Sequence, residues 1–257
     1  MVKITFLGTG TSQGIPIIAC NCDVCASDDP RDKRLRCSVL VQVGGKNIVI
    51  DSGPDFRQQM LRAGVAKLDA ILFTHGHKDH VAGLDDVRAY NHVMQRPMDV
   101  YAEERVQKIL QREFAYSFEE DKYPGVPELS LHTIDETPFS IDHVQITPIR
   151  AMHLKLPILG FRIGRIAYLT DANSISENEK NKLRELDCFI VNGLRKEKHI
   201  SHFSLKEALA LIEEIKPKQA YITHISHQLG LHRLVQNELP PNVFLAYDGL
   251  EIIKYLH

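Results

Sequence analysis

The sequence predicts an α/β fold, a single layered domain over residues 1–257 with two similar halves, on three observations. Short apolar runs with the alternation of β-strands recur in both halves and are interleaved with capped, helix-like segments. No low-complexity or linker-like stretch divides the chain. Most telling, five apolar runs end in a residue able to bind a metal: Asp51, His75, His153, Asp171 and His224. Ligands of α/β proteins gather beyond the carboxyl ends of strands, where rigid backbone positions them and loops leave room. A lone histidine at a strand end is more often structural. Five such positions, with His77, Asp79 and His80, are not well explained that way.

Taken in order, residues 2–7 alternate as a strand and lead into the glycine-rich loop 8–14. No Lys-Ser/Thr follows that loop, so it reads as a tight turn and not as a nucleotide phosphate cradle. Next comes Cys20-Asn21-Cys22-Asp23-Val24-Cys25, whose spacing lets three sulfurs reach one ion at about 2.3 Å each. His227 is the favoured fourth ligand and Cys37 the competing one, giving a structural zinc. Residues 28–36 are charged, mostly solvated surface. Residues 38–43 and 47–50 form a hairpin through Gly44-Gly45, and the second strand delivers Asp51. A short helix over 55–63 and a strand over 68–73 lead to Thr74-His75-Gly76-His77-Lys78-Asp79-His80.

A helix is expected over 84–94 and another over 103–115, whereas 116–131, with Pro124, Gly125 and Pro127, is expected to be irregular. The strand-then-ligand arrangement then returns. Residues 145–149 precede His153, and 165–170 precede Asp171. Ser176-Glu177-Asn178-Glu179 and Ser204-Leu205-Lys206-Glu207 have the form of capping boxes. A strand over 218–223 leads to His224, and 229–239 reads as the last helix.

A hydrophobic content of 44%, a charged content of 25% and a net charge of -2 argue against a broadly basic nucleic-acid binder. No apolar run approaches the ~18 residues of a membrane span, and the start lacks a signal-peptide core, so a cytoplasmic location with no membrane partner is expected. Three of the five cysteines crowd into one segment, which suits thiolate coordination in a reducing compartment better than a disulfide framework. His92, His132, His143, His199, His232 and His257 match no ligand position and read as surface or packing residues.

The motif at 75–80 is a metal site on chemistry alone, because imidazole and carboxylate are what zinc, manganese and iron accept, and neighbouring side chains on a turn fan out far enough to serve two ions. As His75, His77, Asp79 and His80 it also resembles the H-x-H-x-D-H signature of the metallo-β-lactamase superfamily. Leu7-Gly8-Thr9-Gly10, the cysteine cluster, Thr170-Asp171-Ala172 and Thr223-His224-Ile225-Ser226-His227-Gln228 are similar to the branch containing the cyclic phosphodiesterase of the carbon-phosphorus lyase system. The resemblance spans nearly the whole chain. It implies an αββα four-layer sandwich and a binuclear hydrolase. It assigns His75, His77 and His153 to one divalent metal and Asp79, His80 and His224 to the other, with Asp171 bridging and Asp51 orienting the histidine loop by hydrogen bonds. A pair of metals about 3.5 to 4 Å apart holds a hydroxide for in-line attack on phosphorus. His202 matches the position of a catalytic histidine and, as an imidazolium near neutral pH, is expected to protonate the leaving alkoxide. Arg34 lies near a comparable arginine and is a weaker candidate for contact with substrate phosphate.

The implied activity is hydrolysis of a small cyclic phosphodiester, of the ribosyl cyclic phosphate or 2',3'-cyclic nucleotide type. A homodimer is compatible with the sequence. Ester or thioester cleavage on the same metals is the rival, although Asp171 stands where a β-lactamase is expected to carry cysteine. A non-hydrolytic accessory role in cofactor biosynthesis, as for the pyrroloquinoline quinone protein with a similar cysteine stretch, would be helped by lost ligands, and none is lost. RNA 3'-end processing lacks support, since the chain shows no extended RNA-binding arm.

Overall fold

The computed structural model describes residues 1–255, so His257 lies outside the described residues. Among these, the first half supplies β1 (Val2–Gly8), β2 (Ser38–Val43), β3 (Lys46–Ile50), β4 (Ala70–Leu72), β5 (Met98–Ala102) and β6 (Leu129–Thr133). Between them lie α1 (Asp23–Ala26), α2 (Phe56–Ala63), α3 (Lys78–Val81), α4 (Arg88–Met94) and α5 (Glu104–Glu113). The second half supplies β7 (Phe139–Ile141), β8 (Val144–His153), β9 (Leu156–Ile163), β10 (Ile166–Leu169), β11 (Ser174–Ile175), β12 (Cys188–Asn192), β13 (Gln219–Thr223), β14 (Val243–Leu245) and β15 (Glu251–Lys254). Its helices are α6 (Glu177–Asn181), α7 (Leu205–Ile215) and α8 (His232–Gln236).

One sheet runs β15-β1-β2-β3-β4-β5-β6, and the other β11-β8-β9-β10-β12-β13-β14, with β7 paired to β8. Successive side chains of a strand point to opposite faces, so strands covered on both sides must be apolar on both. Phe6, Val41, Ile50 and Leu72 meet Leu159, Phe161, Tyr168 and Ile190 between the sheets. On the outer face of the first sheet, Leu40, Val49 and Ile71 pack against Phe56 and Met60 of α2 and Leu110 of α5. On the outer face of the second, Leu169, Val191 and Ile222 pack against Leu205, Ala208 and Ile212 of α7. Each fully buried large apolar side chain contributes roughly 1.5–3 kcal/mol, and together they make the αββα four-layer sandwich.

Strand direction gathers the ligands. β3, β4 and β5 are mutually parallel, as are β10, β12 and β13. β8 is antiparallel to β9, which is antiparallel to β10, so β8 and β10 point the same way. In each sheet, therefore, the residues that follow these strands emerge at one edge.

The expected helix over 84–94 is a 3-10 turn, Leu84–Val87, followed by α4. Its entry is tethered, because Gly83 donates its N–H to the Ser52 carbonyl and a Cβ there would sit 2.1 Å from the Gly53 oxygen. The irregular stretch expected over 116–131 ends in β6, a half-buried edge strand parallel to β5. Its mixed Leu-Ser-Leu-His-Thr pattern behind two prolines hid it. The last helix is broken at Gly230, φ +113°, leaving a 3-10 turn at His227–Leu229 and α8. β9 was obscured by Pro157 and Gly160, the latter needed where the Tyr168 carbonyl passes 2.7 Å from a would-be Cβ. The expected caps form at Ser176, and at Ser204 as a complete capping box. No helix among the described residues is long and apolar enough to cross a membrane.

Candidate metal centre

Three of the side chains at this edge leave their strands in the left-handed region: Asp51 at φ +64°, Asp171 at +60° and His224 at +53°. Asp and His tolerate that conformation better than most residues, yet each remains uncommon there. From these turns Asp51 reaches His80 at 2.7 Å, and Asp171 reaches His224 at 3.1 Å.

Asp171 is the meeting point. Its Oδ1 lies 3.1 Å from His224 Nε2, and its Oδ2 lies 3.4 Å from His80 Nε2, 3.5 Å from His202 Nε2 and 3.8 Å from His75 Nε2. Asp79 Oδ2 stands 3.2 Å from His80 Nε2 and 3.9 Å from His224 Nε2. Potential ligand atoms of Asp79, His80, Asp171 and His224 all fall within 4.8 Å of one another, and those of His153, Asp171 and His202 do likewise. His75, His77 and His153 are adjacent, with ring centroids 4.6 Å apart for His75 and His77 and 5.1 Å for His77 and His153.

The ring orientations are set by hydrogen bonds on the side away from the cluster. Asp51, fully buried, accepts from the Thr74 N–H at 2.9 Å, the Thr74 hydroxyl at 2.8 Å and His80 Nδ1–H at 2.7 Å. Because the Thr74 hydroxyl donates to Asp51, it accepts from His75 Nδ1–H at 3.0 Å. His153 Nδ1–H donates to the Ser201 carbonyl at 2.7 Å. In His75, His80 and His153 the proton thus sits on Nδ1 and the Nε2 lone pair is left for the cluster. Sequence reasoning placed Asp51 in this role but missed Thr74 and the Ser201 carbonyl. The Thr74 hydroxyl, one residue before the motif, was the available signal.

This arrangement fits divalent metals. His80 Nε2 and His224 Nε2 are buried and form no hydrogen bond despite facing carboxylates, a state that costs about 1–3 kcal/mol per group unless a cation takes the lone pair. Electrostatics point the same way. Burial pushes the His80 pKa down, but Asp79, Asp171 and Asp51 reverse it to well above the usual range, so that without a cation a proton takes the place at Nε2 that a metal would take. Burial likewise raises the Asp171 carboxyl, and His224 and His80 overcome it and hold it well below the carboxylate range. Buried carboxylates this closely grouped attract positive charge.

His202 departs from expectation. Burial pushes its pKa down to about 4 against the pull of Asp171, so the resting ring is neutral near neutral pH and not the imidazolium expected. Arg34 also departs. Its guanidinium is fully buried and donates to the Thr9 hydroxyl, the Ala246 carbonyl and His232 Nδ1. It therefore ties the glycine-rich loop to the far end of the chain and does not offer itself to phosphate. The signal for this was its position among charged neighbours in a loop that must be anchored.

A second cluster lies beside the first. His227 Nδ1 is 3.4 Å from Cys20 Sγ, 3.3 Å from Cys22 Sγ and 3.7 Å from Cys25 Sγ. The Cys25 backbone N–H, followed by His227, brings the Cys22 thiol down to about 6, and burial raises Cys25 to about 11. Cys37, the competing ligand, is in the core, 3.1 Å from the Tyr168 hydroxyl and 3.3 Å from Thr223 Oγ1. The loop carrying these cysteines is stitched to the strand end of His224, with Ile225 donating to the Thr9 carbonyl and Thr11 donating to the Ile225 carbonyl.

A β-lactamase superfamily domain model matches residues 46–225. The octanoyltransferase of Porphyromonas gingivalis is 42% identical over 255 residues, which is 98% of this chain and 51% of that protein, so the chain spans about half the length of that relative. Among solved structures, a diphosphatase of the PhnP family superposes with a TM-score of 0.92 at 39% identity, covering 98% of this chain and 96% of that one. Zn(2+)-bound PqqB of Methylobacterium extorquens superposes with a TM-score of 0.81 at 18% identity, covering 98% of this chain and all of that one, a likeness of fold alone. With its two packed sheets and its histidine and aspartate cluster at their shared edge, this chain belongs to the metallo-β-lactamase superfamily of hydrolases.

Proposed function

We propose that the chain is a metal-dependent phosphodiesterase of small cyclic phosphodiesters, of the ribosyl cyclic phosphate or 2',3'-cyclic nucleotide type. The observation that carries the reading is Asp171, whose carboxylate lies 3.8 Å from His75 of one ligand set and 3.1 and 3.4 Å from His224 and His80 of the other. In this reading His75, His77 and His153 would hold one divalent metal and Asp79, His80 and His224 the second, with the Asp171 carboxylate within reach of both sets. When bound, such a pair of Zn, Mn or Fe ions supplies a water of lowered pKa and positive charge for phosphoryl oxygens.

The chain's own side chains do the rest. Asp51 and the Ser201 carbonyl keep ligand nitrogens bare and aimed inward. His202 presents Nε2 beside Asp171 and donates the proton that the leaving alkoxide needs, the anionic diester supplying the charge that lets this neutral ring take one up. Cys20, Cys22, Cys25 and His227 hold a structural zinc that pins the rim next to His224. Three cysteines without disulfides at one site belong in a reducing compartment, the cytoplasm.

A second reading, ester or thioester hydrolysis, is favoured by the name of the Porphyromonas relative, of which this chain matches 51%. Parallel assays of the metal-loaded protein on bis-p-nitrophenyl phosphate, a 2',3'-cyclic nucleotide and an octanoyl thioester separate the two. Turnover of both phosphodiesters is expected. Cleavage of the thioester alone contradicts the proposal.

A further inference from the structure

His202 is backed by a second histidine that no ligand pattern includes. His199 Nδ1 lies 3.2 Å from His202 Nδ1, and the Ser201 hydroxyl sits 3.3 Å from the first and 3.0 Å from the second. The roles in this triangle are fixed by one unambiguous donor. The Ser201 backbone N–H points at His199 Nδ1 at 3.3 Å, so that nitrogen carries a lone pair and not a proton. A short contact between two ring nitrogens is attractive only if one of them is a donor, so His202 Nδ1 is the donor, its proton shared between His199 Nδ1 at 3.2 Å and the Ser201 hydroxyl oxygen at 3.0 Å. His202 stays on the other side of the ring with Nε2 turned to Asp171, 3.5 Å away, and the ring is packed at 4.6 Å from His153 and 4.9 Å from His224 between centroids.

We infer that His199 is a positioning residue: by accepting from His202 Nδ1–H it holds His202 in one tautomer and one orientation, so that Nε2 alone exchanges protons with substrate. This inference rests on the phosphodiesterase reading for its kinetic consequence but not for its geometry. The logic is that of a nucleophile-activating histidine held in the correct tautomer by an acceptor behind it, here with a neutral imidazole in the acceptor's place. Burial and the nearby Arg195 lower the His199 pKa, consistent with a ring that accepts. His199 is only partly buried and anchors no core residue, so its replacement perturbs His202 and little else.

Two readouts test this on the zinc-loaded protein. Long-range 15N–1H spectra of the His202 ring are expected to show a single Nδ1–H tautomer in the wild type, a mixture in His199→Ala, and recovery in His199→Asn, whose amide oxygen can accept. Kinetics on a 2',3'-cyclic nucleotide, with its alkoxide leaving group, are compared with those on bis-p-nitrophenyl phosphate, whose p-nitrophenolate needs no proton. His199→Ala is expected to lower kcat roughly 10- to 100-fold on the cyclic nucleotide, with a much smaller change on the aryl diester, and His202→Ala to show the same split more strongly. A His202 ring that keeps one tautomer in His199→Ala overturns the inference, as does a split seen in His202→Ala but absent in His199→Ala. If His202→Ala slows both substrates equally, proton donation by His202 falls, and the ring-nitrogen spectra still decide whether His199 positions it.

Discussion

Asp51 shows how much of this centre is decided one residue away from the ligands. Its pKa is raised by burial and pulled back by His80 and Thr74, and its side-chain hydrogen bonds go to the segment that carries the motif. An amide in its place keeps the shape but changes the donors. In Asp51→Asn, the NH2 group meets His80 Nδ1, which then accepts, and the proton moves to Nε2, the atom meant for metal. Metal affinity is expected to fall roughly 10- to 100-fold, the usual cost of losing an outer hydrogen-bond partner, with the fold intact. Isothermal titration of the apoprotein with Zn²⁺ measures it, and an unchanged Kd would show that Asp51 does not set the His80 tautomer. The left-handed backbone at Asp51, Asp171 and His224 adds strain on the order of 1–3 kcal/mol per residue, held in place by the strands on either side. The alternation of apolar and ligand residues made these three positions legible. Their backbone conformation was not, since nothing in Asp or His demands φ above zero.

At the scale of elements, the loop between β1 and β2 is fastened to the start of α8 by charge. His232 donates its backbone N–H to Asp32 at 2.7 Å, and its Nδ1 accepts from Arg34 at 3.1 Å. Burial, then Arg34 and Arg31, pushes the His232 pKa down to about 4, against about 6.5 in an unfolded chain. Between those values the unfolded state binds more protons, so stability falls as pH drops from about 6.5 toward 4 and is unaffected by this group above that window. The loss from pH 7 to pH 5 is about 2 kcal/mol. Other titrating groups add to the pH dependence, so the comparison is with His232→Gln, whose urea-unfolding free energy is expected to fall by about 2 kcal/mol less over the same range. Equal losses would remove His232 from the clamp. Sequence patterning found the cluster of Cys20, Cys22, Cys25 and His227 and the two capped helices, because cysteine spacing and capping boxes are local. It put Arg34 at the substrate and left His232 and His199 without partners, because those contacts join residues about 200 apart in one case and depend on a backbone turn in the other.

At the scale of the molecule, two sheets from the two halves of the chain each contribute part of one site. The motif at 75–80 and Asp51 come from the first sheet, and His153, Asp171 and His224 come from the second. That division was readable because each ligand terminates its own apolar run. The sandwich itself was not, since sheet order depends on pairings such as β1 with β15 that lie some 250 residues apart, and it came from resemblance. Strands with interior Pro or Gly, such as β9, stayed hidden for the same reason that they fit, being shaped by a close neighbour. On the proposed function, Asp171 would join two metal spheres, one built mostly by His75, His77 and His153 and the other by Asp79, His80 and His224. Diffraction from metal-loaded crystals at the absorption edges tests it most directly. The expected map has two anomalous peaks about 3.5 to 4 Å apart on either side of the Asp171 carboxylate, and a third at Cys20, Cys22, Cys25 and His227. A single peak at the His75–His80 segment, or none, would contradict it.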